Sequence, residues 1–162
     1  MTPRSVRAAA FGIGVVAGLR SLLAPAIVAW TAQNRIVRRD LPLLALMGGP
    51  ASKKIIKLAA GELLADKLPF TPNRITPGPL AARIASGAAC GAAVSFLGKA
   101  SVRDGALLGG AGALAGAFGG FYTRRALGRN RSDFPVALVE DLVAIAAGMG
   151  IMKRVAESAR PL

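Results

Sequence analysis

Four carboxylates stand inside stretches that otherwise read as membrane: Glu62 and Asp66 in one apolar segment, Glu140 and Asp141 in another, together half of the chain's 8 acidic residues. An ionisable group near the centre of a bilayer costs roughly 2.5 to 3.5 kcal/mol on insertion scales, so each one needs a partner, a water-filled cavity or a function. Arg20, Arg124 and Arg125 are the basic residues placed to answer them. Glu62 and Asp66, at i and i+4, share one helix face, where two like charges repel unless a proton, a cation or an arginine intervenes. Coupled carboxylates of this kind suit proton or cation handling. Glu140 and Asp141 are adjacent and point a quarter-turn or more apart, so one can face a bundle interior while the other meets a neighbouring helix or an interface. Arg20 lies near the middle of its apolar block and most needs an ion pair, with Glu62, Asp66 or Glu140 as the expected partner.

The elements that must position these residues are five apolar blocks, at about 8–30, 55–70, 80–97, 106–121 and 134–152, in a chain of 162 residues with 53% hydrophobic content and mean hydropathy +0.49. Those lengths lie near the roughly 17 to 25 residues of a membrane-spanning helix, two of the blocks being short. Nothing alternates with period two as barrel strands do, so the spans are expected to be helices. The reading is an all-α, polytopic membrane protein of about five short transmembrane or partly re-entrant helices, forming one domain over residues 1–162. Arg4 and Arg7 ahead of Ala8 resemble the start of a signal peptide. The apolar run resumes after Arg20 and ends on Trp30, an aromatic suited to the interface, so the block is read as a retained first span.

A formal charge of +13 would ordinarily suggest nucleic acid. Here the basic residues border the apolar blocks, as Arg35, Arg38 and Arg39, then Lys53, Lys54 and Lys57, then Arg124, Arg125, Arg129 and Arg131. No aromatics interleave with them to stack on bases. The expected partner is therefore a bilayer with anionic headgroups, not nucleic acid. Divided over five alternating spans, the basic residues fall almost evenly on the two sides, so the positive-inside rule gives no orientation. With no histidine and one cysteine, zinc sites, Ser-His-Asp triads and Cys-His pairs are excluded within one chain. Cys90, among small residues, reads as an apolar filler. No enzyme, metal site or cofactor is expected, although four carboxylates could in principle hold magnesium.

Between the first two blocks, Leu41 to Met47 is apolar but too short to span. It could lie in the interface, re-enter the membrane or lengthen the second helix. The connection 69–79 carries four prolines and is expected to be extended and non-helical. Gly105, Gly109, Gly112, Gly116 and Gly119 fall on one helix face, and Gly14 with Gly18 and Gly87 with Gly91 repeat small-xxx-small spacing. Such stripes let helix backbones approach closely in a membrane. The pattern Gly12-x-Gly14-x-x-Ala17-Gly18 recurs as Gly110-x-Gly112-x-x-Ala115-Gly116, each followed by a block with an acidic pair. An offset of three alternating spans would make this an inverted-topology repeat.

Three segments carry a resemblance: Ala17-Gly-Leu-Arg20-Ser-Leu-Leu-Ala-Pro25-Ala, Gly61-Glu-Leu-Leu-Ala-Asp-Lys-Leu-Pro69-Phe-Thr-Pro72-Asn-Arg74 and Asp133-Phe-Pro-Val-Ala-Leu-Val-Glu140-Asp141. In this order, over about residues 11–152, the chain resembles the bacterial membrane family catalogued as domain of unknown function 4126. The resemblance implies an integral protein of the bacterial cytoplasmic (inner) membrane and carries no activity, substrate or site residue. Two functional readings stay open. One is an ion- or proton-coupled transporter or channel-like protein built around the charge cluster. The other is a structural or partner-binding membrane protein whose buried charges only fix helix packing. A homo-oligomer suits both.

Overall fold

The computed structural model describes residues 1–33, 50–65, 76–127 and 133–159, and among these it is entirely helical, with no strand. Six helices are described: α1 (Pro3–Leu19), α2 (Leu23–Gln33), α3 (Pro50–Ala65), α4 (Pro77–Leu97), α5 (Val102–Leu127) and α6 (Asp133–Ala159). Their starts follow from local chemistry. Thr2 caps α1 by accepting the Ser5 amide at 3.3 Å, with Pro3 in the first turn. Ser101 accepts the Asp104 amide at 3.2 Å ahead of α5, whose Asp104 and Arg124/Arg125 complement the helix dipole at its two ends. The connection 69–79 does not stay non-helical throughout, because Pro77, Gly78 and Pro79 form the first turn of α4. Proline is at home there, where its missing N–H has no partner to lose. Leu41 to Met47 lies outside the described residues.

The bundle is organised by glycine. A methyl group built on Gly14 or Gly87 would overlap the Gly109 carbonyl, on Gly91 the Gly105 carbonyl, on Gly112 the Phe11 carbonyl, and on Gly116 the Val15 carbonyl. Thus α5 presses its backbone against α1 and α4 at once, and only residues without a side chain allow that approach. The stripe ends before Gly119, which meets nothing. Buried Ile13, Val16, Cys90, Val94, Met152 and Val155 fill the adjoining core with α2.

The first apolar block is not one span. Arg20 leaves the helix with φ −143° and ψ 112°, and α2 starts again at Leu23. Gly148 of α6 lies against both Val16 of α1 and Ile27 of α2, so α2 turns back into the bundle instead of continuing α1. Pro25 is a local cause, since it cannot donate to the Ser21 carbonyl as a continuous helix would require.

The turn changes the chain's directions. Arg7 pairs with Asp104 at one end while Gly18 meets Gly116 and Ala117 at the other, so α1 and α5 run the same way. Gly98 beside Val6, with Arg83 beside Gly18, makes α4 antiparallel to α1, and Gly12 beside Ile151 does the same for α6. Five alternating spans would have the third block parallel to the first, and it is antiparallel. An inverted repeat would oppose α1 and α5, and they are parallel. Strict alternation of the blocks and the inverted repeat both take the first block as one continuous helix, which the break at Arg20 divides. By length and composition, two helices among the described residues can cross a membrane, α4 with mean hydropathy 1.5 and α5, over Val102–Ala126, with 1.2.

Candidate functional site at the helix break

The break frees backbone carbonyls that a helix would have satisfied, and buried carbonyls need donors. The Val16 carbonyl keeps a helical bond from the Arg20 amide at 2.9 Å, and the Arg20 and Leu22 carbonyls accept from the Leu23 and Ala26 amides at 3.2 and 2.9 Å. Three more are met by α4. Arg83 Nη1 donates to the Gly18 and Leu19 carbonyls at 2.8 and 2.9 Å, and the Ser86 hydroxyl donates to the Ser21 carbonyl at 2.5 Å. Neither α4 residue stands out as a site residue in the sequence. The signal for Arg83 is its place inside the apolar run 80–97, and it is buried at 5% exposure. The signal for the break itself is Pro25.

Having left the helix, Arg20 is fully buried, and its Nε donates to Asp141 Oδ1 at 2.6 Å. Among the described residues its carboxylate partner is Asp141, and the expected partners Glu62 and Asp66 have their side chains outside the described set. Glu140 takes the other direction, toward α5, and accepts from Arg124 Nε at 2.7 Å with both side chains mostly buried. The adjacent acids of α6 therefore divide between the bundle interior and a neighbouring helix. Arg125 is exposed. Glu62 belongs to α3, its side chain outside the described set, and Asp66 lies beyond the described residues. Among the described residues no three acidic, histidine or cysteine side chains gather as a metal-binding group. A cavity of about 470 Å³ opens at the far end of α1, lined by Met1, Arg7, Lys99 and Asp104, away from the break.

Chemically, the site is a turn of non-helical backbone inside an apolar bundle, with the Arg83 guanidinium and the Ser86 hydroxyl on its carbonyls and a guanidinium–carboxylate pair beside it. Outside the bundle, α5 exposes Leu107, Leu114, Phe118 and Tyr122, and α6 exposes Leu138, Val139, Leu142 and Val143. Contiguous apolar surface of this kind marks contact with lipid or another protein. No family model, curated protein or solved structure matches the chain. Among the described residues the fold and site define an all-helical bundle, two of whose helices are long and apolar enough to cross a membrane, with a helix break and a buried ion pair beside it.

Proposed function

We propose that the chain is a small multi-pass protein of the bacterial cytoplasmic membrane in which Glu140 and Asp141 exchange their arginine partners for a transported proton or monovalent cation. The observation that carries this reading is the broken first block, whose turn brings the fully buried Arg20 guanidinium to Asp141. Non-helical backbone is tolerated at membrane depth only where protein buries it or it lines a pathway, and transporter sites are built at such broken helices. Buried ionisable groups inside a membrane bundle mark ion pathways more often than they mark stability. The exposed apolar faces of α5 and α6 suit lipid, or a second copy of the chain, and the basic residues suit anionic headgroups. The resemblance described above agrees with the location and adds nothing about activity. No enzymatic step or cofactor enters this reading.

The second reading, that the charges only fix which helices are neighbours, is favoured by one observation: Arg20–Asp141 and Arg124–Glu140 are already closed pairs at 2.6 and 2.7 Å. Cation or proton flux into proteoliposomes separates the two. Transport predicts that Asp141→Asn, verified as folded in detergent, lowers flux at least tenfold relative to wild type. Equal flux in the two proteins, at or above that of protein-free vesicles, removes the transport reading.

A further inference from the structure

Carbonyl oxygens at the end of a half-helix, inside an apolar bundle, are the usual means of holding a desolvated cation. The negative end of the helix dipole adds to their field. In this chain the C-terminal end of α1 presents the Gly18 and Leu19 carbonyls, and the Ser21 carbonyl lies in the turn just beyond. What sits on the first two is a positive charge, since one nitrogen of the Arg83 guanidinium donates to both. Ser86, one helical turn further along α4, reaches the third. The position is filled by the chain's own cation, delivered from a neighbouring helix.

We infer that the end of α1 is a monovalent-cation site, formed by the carbonyls of Gly18, Leu19 and Ser21 with the Ser86 hydroxyl, and that Arg83 is its tethered occupant. The inference rests on reading the break as the transport site and names a second place where a cation competes with an arginine. The oxygens named are all neutral, so a monovalent ion fits their field better than a divalent one, which takes carboxylates. Burial of Arg83 at 5% exposure keeps water from substituting for it. A cation that enters must therefore displace the guanidinium, and one that leaves lets it return.

Removing the tether should leave the site empty and open to free ions. The test is the thermal unfolding midpoint of purified full-length Arg83→Ala in one detergent, with sodium, potassium or guanidinium chloride at equal, non-denaturing concentration, against choline chloride. The inference predicts a midpoint below wild type in choline, raised by about 5 °C or more by guanidinium and by at least one of the two metal ions. Wild type, with its site occupied, should not distinguish the salts. Urea, the neutral isostere of guanidinium, should not restore Arg83→Ala. Equal midpoints in all four salts, or equal rescue by urea, overturn the inference. If Arg83→Ala does not fold, Arg83→Gln takes its place, since it keeps a short donor without the charge, and rescue or its absence in the same salts supports or overturns the inference in the same way. The outcome is independent of flux, so a silent Asp141→Asn phenotype and an empty cation site are separate failures.

Discussion

Helices α1, α4 and α5 meet through glycine, backbone against backbone, whereas α6 reaches the same bundle through side chains. A methyl group on any of Gly14, Gly87, Gly91, Gly109, Gly112 or Gly116 would strike main-chain atoms, which cannot step aside. Where α6 approaches, the atoms met at Gly12 and Gly148 are the flexible ends of Ile151 and Ile27. Its other ties to the bundle include two ion pairs, to Arg20 and Arg124. Contacts between main chains have one geometry. Contacts between charged side chains can be exchanged for water, a proton or another ion. The molecule thus joins a glycine-packed trio to a helix held by buried side chains such as Met152 and Val155 and by ion pairs, and the helix break lies where the two meet.

That contrast can be broken from either side. The largest effect belongs to the trio: Gly109→Val should cost more than about 4 kcal/mol or leave no folded protein, because its side chain would enter the backbone of α4 near Gly87 and Gly91. Gly119→Ala, in open space on the same helix, should be neutral or gain up to about 1 kcal/mol from helix propensity. Chemical unfolding in detergent compares the two directly, and equal losses would mean that the glycine contacts do not hold the trio.

Next comes the pair at the break. Asp141→Asn takes the carboxylate charge from beside a fully buried guanidinium and should lower stability by about 3 to 5 kcal/mol, while Arg20→Leu combined with Asp141→Leu should recover most of that loss. A double variant as unstable as the single one would mean that packing around the pair, and not the loss of the carboxylate charge, sets the cost. Smaller again is the pair on α5. Arg124 and Glu140 keep 19% and 13% of their side-chain surface in contact with the surroundings, so water tempers the loss. Glu140→Gln should cost about 1 kcal/mol by the same measurement. A cost equal to that of Asp141→Asn would place both pairs in one buried network.

Helices are legible from apolar blocks without period two, and the glycine spacing identifies α5 as the helix others approach. Direction is not legible, for physical reasons. Leu19 to Leu23 contains no helix breaker, and the effect of Pro25 is felt four residues upstream, on a carbonyl whose replacement donor comes from α4. By pattern Arg83 is one more charge near the edge of a block, since hydropathy marks where a basic residue falls and not which way it points. Arg20 and Asp141 each stand out in the sequence but not as a pair, because their 121-residue separation is closed by the antiparallel run of α6 along α1. The end of the molecule that gathers Arg4, Arg7, Lys99, Arg103, Lys153 and Arg154 follows from the same corrected directions.

The most direct test of a rigid trio beside an exchangeable α6 is a pair of distances measured by pulsed electron resonance, in a Cys90→Ala background. Exposed Ala85 of α4, Leu114 of α5 and Val143 of α6 are the labelling positions. The α4–α5 distance should stay single and fixed in every condition. The α5–α6 distance should acquire a second, displaced population when sodium is added or Asp141 is replaced by Asn. If both distances remain single and unchanged, α6 is as rigid as the trio, and the account of exchange at the broken helix is wrong.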